Sequence, residues 1–196
     1  MKNLYFLIVL ILGFTIVSCS EEDTSTSNVE IEGTWKTPCY VTGSYYATDT
    51  ITISGTSVVL YYNYYADSSC STDNYTVTYN FSGYSEGSDM VFSSYGTSGG
   101  SGKQFTMTHN YTTETPQNSS EVSWYNNNSY CGETDWALDI ANDTTGLTCG
   151  SSTRWSANAT IYGLYLLDGD SLFGSFSTST YPSSVSTGDN DTFSKQ

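Results

Sequence analysis

The strongest constraint on this chain is a period of two. Tyr75, Val77, Tyr79 and Phe81 alternate with Thr76, Thr78 and Asn80, and Phe105, Met107, His109 and Tyr111 alternate with Thr106, Thr108 and Asn110. Alternation of this kind puts one face of a strand on a core and the other in water, the pattern of half-buried antiparallel sheet. Similar runs lie at Thr48 to Ser54, Ser57 to Ala66, Met90 to Tyr95, Glu121 to Tyr125, Asp135 to Ala141, Ala159 to Leu167 and Ser171 to Phe176. Between them come residues that turn a chain: Ser54-Gly55-Thr56, the glycine-rich stretch from Tyr95 to Gly102, Asn126-Asn127-Asn128 and Asp168-Gly169-Asp170. No stretch carries a sustained helical period, so nothing helical is expected to cover an open sheet. The expectation is an all-β antiparallel barrel of about eight to ten strands, with a β-sandwich as the alternative. The 18 Tyr of the chain agree, since Tyr favours strands.

The N-terminus has a different character. Lys2, the apolar run from Leu4 to Val17 and the small Ser18 are the three parts of a secretory signal, and the run is too short to span a ~30 Å hydrocarbon core as a helix. The closing Ile16-Val17-Ser18-Cys19 resembles the lipobox of bacterial lipoproteins. That resemblance implies a signal peptide over 1–18, acylation of Cys19 and attachment to a membrane through the lipid; an ordinary signal peptide is the alternative. Several acyl chains on one Cys would hold firmly where a single chain would bind marginally. Residues 19–28, beginning Cys19-Ser20-Glu21-Glu22-Asp23, form a polar stretch expected to be a flexible acidic tether. Its acidic cluster also resembles the surface-export tag of Bacteroidetes-type lipoproteins, which implies the outer membrane and, with it, display on the outer face. Residues 29–180 are left for one barrel domain and 181–196 for a C-terminal tail.

With 5 basic and 20 acidic residues the formal net charge is -15. Nucleic acid is excluded as a partner, because neutralising a phosphate backbone needs clustered Lys and Arg. Cys39, Cys70, Cys131 and Cys149 are an even set in an exported chain and are expected to form two disulfides. Three pairings are possible. Cys39 with Cys70 and Cys131 with Cys149 is favoured, since cysteines near in sequence close first in a meander of strands. A zinc site fails on spacing, with no C-x-x-C and His109 as the only histidine. Calcium fails too: Asp168-Gly169-Asp170 and Asp189-Asn190-Asp191 lack the twelve-residue ligand spacing. No cofactor or metal is expected.

Gly33-Thr34-Trp35, preceded by Val29-Glu30-Ile31-Glu32, resembles the Gly-x-Trp signature that opens the first strand of lipocalin-like (calycin) barrels. The resemblance, supported by Trp35-x-x-x-Cys39 and Cys70, implies a barrel closed at its base by Gly33 and Trp35, with a basic residue stacked on the indole. Arg154 is the only arginine that could take that place; its neighbour Trp155 offers a surface cation-π pair instead. Thr72-Asp73-Asn74-Tyr75 echoes the family's second motif but sits early in the chain.

No catalytic motif is found. Gly-x-Ser-x-Gly, P-loop and H-E-x-x-H patterns are absent, so no catalytic residue is assigned and an enzyme is not expected. Glu121, Glu133, Asp135 and Asp139 could in principle supply a carboxylate pair, but solvated faces explain them better. His109, in phase with Phe105 and Met107, is expected inside the barrel, hydrogen-bonded to a Tyr or Thr. The function expected is non-catalytic binding of a small apolar or amphipathic ligand, with Phe105, Met107, His109, Tyr79 and Phe81 as wall residues. The alternative is a surface module that binds glycan or protein through external Tyr and Trp.

Overall fold

The computed structural model describes residues 29–92, 100–185 and 191–196. The signal segment, Cys19, the tether and the middle of the glycine-rich stretch lie outside the described residues, as do Asp189 and Asn190.

Among the described residues the chain begins with β1 (Gly33–Lys36), β2 (Tyr40–Thr42), β3 (Tyr45–Ser54), β4 (Ser57–Tyr65), β5 (Asp73–Phe92) and β6 (Gly100–Pro116). A helix, α1 (Ser119–Asn128), and three two-residue strands, β7 (Asn142–Asp143), β8 (Thr148–Cys149) and β9 (Ser152–Thr153), come next. The chain ends with β10 (Thr160–Asp168), β11 (Ser171–Ser177) and β12 (Thr192–Lys195). Eight strands pair antiparallel in the order β1-β12-β11-β10-β6-β5-β4-β3, and β1 returns onto β3 through Trp35 opposite Ile51. The sheet is therefore a closed barrel, an architecture consistent with a lipocalin-like fold, and the sandwich alternative is overturned by the β1–β3 pairing.

Local chemistry explains the connections. Gly55-Thr56 joins β3 to β4 and Gly169-Asp170 joins β10 to β11, each with the glycine at a left-handed φ of +55° or +58°. Such two-residue turns match the twist of the strands they connect. Register shifts between Asn80 and Phe81, Ser82 and Ser85, and Glu86 and Asp89 interrupt the long β5–β6 ladder. Bulges of this kind bend and twist strands, which lets a 20-residue strand wrap a barrel wall. They also break the sequence pattern. Asn80 faces Tyr111 whereas Phe81 faces His109, so Asn110 is the extra residue and the phase of β6 inverts there. Tyr111, in step with Phe105 by simple alternation, is turned outward and 46% exposed, while Thr112 and Glu114 are fully buried.

The main core holds Trp35, Ile53, Leu60, Phe81, Phe105 and Tyr165 among others. Gly163 lies opposite Phe105 across the β10–β6 ladder, and a Cβ on it would come within 2.0 Å of the ring. The aromatic ring thus occupies the space that a side chain would take. A second apolar cluster, Leu164, Leu166 and Val185, covers the outer face of β10.

Four parts of the sequence reading are corrected. The alternation at Glu121 to Tyr125 belongs to α1, not a strand: Asn118 caps it by accepting from the Ser120 amide at 2.9 Å, and Glu121 stands in the first turn. Asp135 to Ala141 is irregular chain, with the Asn126 side chain bonding both the amide and carbonyl of Trp136 in place of a strand partner. Asn126 to Asn128 is accordingly the end of α1 and not a hairpin turn. The barrel also does not stop at residue 180. β12 sits between β1 and β11, so part of the expected tail is a wall strand.

Disulfides Cys39–Cys70 and Cys131–Cys149 are both formed, the pairing favoured from sequence. The first ties the chain after β1 to the β4–β5 turn. The second staples the segment between β6 and β10, whose small core is Tyr125, Cys131, Trp136 and Cys149. Each closure contributes about 3 kcal/mol by the chain-entropy argument.

Candidate binding cavity

Cross-strand register stacks the inward side chains in tiers. Ile53, Val58, Phe81 and His109 form one, Ile51, Leu60, Tyr79 and Thr112 the next, and Asp49, Tyr62, Val77 and Glu114 a third. Polarity therefore rises along the barrel axis. On the apolar side the interior is filled: among Ile31, Ile53, Phe105, Met107 and Tyr165 a void of about 20 Å³ remains, room for about one water. On the polar side a partly open cavity of about 360 Å³ lies between β3 and β4 on one wall and β11 and β12 on the other. Asp49, Leu60, Tyr62 and Trp155 line it from one side, and Gly174, Ser175, Phe176, Asp191 and Phe193 from the other. Its size falls within the range of small-molecule sites.

Asp49 is a strongly perturbed carboxyl in this cavity. The side chain sits on the inner face of β3, in phase with Ala47, Ile51 and Ile53, and only 4% of the residue is exposed. The backbone there is fixed by Thr37, whose amide donates to the Asp49 carbonyl at 2.9 Å and whose Oγ1 accepts from the Asp49 amide at 2.8 Å. Oδ1 accepts from the Tyr40 hydroxyl at 2.9 Å. Burial pushes the Asp49 carboxyl up to about 7, against the hydrogen bond from Tyr40 and with a further rise from Asp191. Burial likewise raises the Tyr62 hydroxyl above the ordinary phenol range, and the Asp49 charge adds to it.

These shifts give the stability of the fold a pH dependence. A carboxyl whose pKa is higher folded than unfolded favours folding while protonated, so its contribution is present below about pH 4 and is lost as pH rises to about 7. Asp49→Asn removes that loss. Urea titrations are expected to show the variant gaining roughly 2–3 kcal/mol on the parent between pH 5 and pH 7. A gap that does not change with pH would place Asp49 in water.

Trp155 is held at the cavity by the stapled segment. Its ring centroid lies 5.0 Å from Tyr79, 5.7 Å from Phe81 and 5.9 Å from His109, so these three form a socket behind the indole. Beside it, Arg154 Nη2 donates to Glu114 Oε2 at 2.6 Å, and Nη1 meets the Tyr79 hydroxyl at 3.4 Å. Glu114 Oε1 accepts a hydrogen bond from the Tyr125 hydroxyl on α1. Glu114 is wholly buried and the Arg154 side chain is 14% exposed. One carboxylate of the barrel wall thus grips both α1 and the strand-like segment leading to Trp155.

The expected wall residues are placed differently from the sequence reading. Phe105 and Met107 line the filled void. Tyr79, Phe81 and His109 are buried behind Trp155 and do not line the 360 Å³ cavity. His109 is held on both sides: Nδ1 donates to the Ser156 carbonyl at 2.9 Å, and Nε2 meets the Thr112 hydroxyl at 2.8 Å. Arg154 does not reach Trp35, nor is it half of a surface pair with Trp155. The cation over the Trp35 ring is Lys195 of β12, with Nζ 5.3 Å from the centroid. Trp35 itself is 2% exposed and donates from Nε1 to the Ile31 carbonyl at 2.8 Å, while Gly33 pairs with Ile53 in the β1–β3 ladder.

Among the carboxylates considered from sequence, Asp135 and Asp139 are exposed and Glu121 accepts from Asn74 Nδ2 at 3.1 Å. Glu114, Cys131 and Cys149 offer a tight group of ligand atoms, but the two cysteines are bonded to each other and hold no metal. Among the described residues the exposed aromatics are Tyr111 at 46% and Trp124 at 50%, whereas Trp35 and Trp136 are buried. Asp49, Tyr62, Trp155, Phe176 and Asp191 were not singled out from sequence as a site. An acidic residue in phase with Ile51 and Ile53 was the one signal available for Asp49. Compared with known proteins, the chain matches no family model, and no curated protein is significantly similar to it.

Proposed function

We propose that this chain is a lipid-anchored protein of the bacterial cell envelope, acylated at Cys19, whose lipocalin-like barrel binds a small amphipathic molecule without chemically transforming it. The observation that carries the binding part of this reading is the 360 Å³ cavity with mixed walls, apolar at Leu60, Phe176 and Phe193 and polar at Asp49 and Ser175. At about 30 Å³ per heavy atom it accommodates about a dozen such atoms. Gly33-Thr34-Trp35 at the opening of β1, with Lys195 over the indole, favours the lipocalin-like reading of the barrel. The Ile16-to-Cys19 motif favours the anchor, and the acidic residues behind it favour the outer membrane.

Native mass spectrometry of protein purified from its host is expected to show a bound molecule of about that size. Protein that is empty as isolated and takes up no small amphiphile would overturn the binding reading. Labelling with radioactive palmitate, lost on Cys19→Ala, checks the anchor separately; an unlabelled parent chain would remove it.

A further inference from the structure

The walls of the cavity are chemically lopsided. Two carboxylates, Asp49 and Asp191, line it, and no Lys, Arg or His does so among the described residues. Tyr62, Trp155 and Phe176 present aromatic surface beside them. Among the described residues the titratable groups facing Asp49 are Tyr40 from β2, Tyr62 and Tyr64 from β4, and Asp191 ahead of β12, none of them a cation. Such a site repels a fatty acid or any other anion, and the net charge of -15 disfavours anions from the start. A neutral amphiphile would leave a buried carboxyl facing an apolar body. A bare metal ion would leave most of 360 Å³ and the aromatic surface unused.

Resting on the small-ligand reading above, we propose that the cavity takes an organic cation, an amine carried on an apolar or aromatic body. The carboxylates of Asp49 and Asp191 hold the ammonium group, and Trp155 and Phe176 hold the body. Carboxylate hydrogen bonds to an ammonium are strong where water is partly excluded, and aromatic faces attract the same charge. The cation also supplies a charged partner for the buried Asp49 carboxyl, which among the described residues accepts from the Tyr40 hydroxyl. Binding draws Asp49 to its charged form, so one proton is released for each amine bound below about pH 7.

Three probes that share one body separate the possibilities: 4-phenylbutylamine, 4-phenylbutan-1-ol and 4-phenylbutanoate, titrated calorimetrically into the purified protein. At pH 8 the amine is expected to bind at least about tenfold tighter than the alcohol, with the acid weakest. The amine affinity is expected to rise about tenfold per pH unit between pH 5 and pH 7, while that of the alcohol stays level. Asp49→Asn should cut the amine-to-alcohol ratio by about tenfold or more; should that variant not fold, as judged by circular dichroism, Asp191→Asn serves the same comparison. Equal binding of amine and alcohol at pH 8 overturns this inference and leaves the small-ligand reading standing. No binding of any probe at millimolar concentration overturns both.

Discussion

Arg154→Ala is expected to lower the unfolding free energy by about 3–5 kcal/mol at pH 8, the cost of leaving a buried carboxylate without its cation. Glu114 has no exposed side-chain surface, and its second oxygen is engaged by Tyr125, so removing the guanidinium leaves a buried carboxylate with a hydroxyl in place of a cation. A double variant, Glu114→Gln with Arg154→Met, removes both charges and is expected to recover most of the stability. Urea titrations followed by Trp fluorescence at pH 8 read both comparisons. A loss under about 1 kcal/mol for Arg154→Ala would mean that the pair is solvated and does not hold the stapled segment to the wall.

Trp35→Ala is expected to cost about 3–5 kcal/mol, the range for emptying a large aromatic site in a packed core. Two contacts beyond area add to it: the indole N–H donated to the Ile31 carbonyl and the Lys195 ammonium over the ring. Trp35→Phe keeps the ring, and through the lost hydrogen bond it should cost about 1 kcal/mol plus whatever the smaller ring leaves unfilled. Lys195→Met should cost about 0.5–1 kcal/mol, the scale of an exposed cation-π contact. Thermal unfolding of the three variants ranks them. A near-neutral Trp35→Ala would reject the analogy with Gly-x-Trp barrels.

Much of the barrel was legible because its cause is local. The alternation of Tyr75 to Phe81 and of Phe105 to His109 follows from one face being buried, and the turns at Gly55 and Gly169 follow from the twist that two-residue connections require. What failed was set by tertiary context. The bulge at Asn110 adds one residue and sends Tyr111 to solvent and Glu114 inside, an inversion that no alternation count can anticipate. The helix α1 has a weak apolar face and is held by Tyr125 packed on Tyr130 and Trp136, so five alternating residues within it looked like a strand.

The cation over Trp35 was sought in the only arginine, but ring closure brings β12 beside β1, and a lysine in the expected tail is the one that arrives. The cavity was least legible of all. Asp49, Trp155, Phe176 and Asp191 come from distant parts of the chain and meet only because the sheet closes on itself.

Closure also governs the order of folding events. The seam pairs Trp35 with Lys195, so the ring cannot be completed until nearly the whole polypeptide is free to move. Contacts so remote in sequence carry a large loop entropy before they give anything back, which places such a chain among slow folders, on the scale of milliseconds to seconds. Until that last strand docks, β1 and β11 each present an open row of amides and carbonyls, the feature by which half-finished sheets recruit one another. Four residues at the far end therefore act as the latch against self-association.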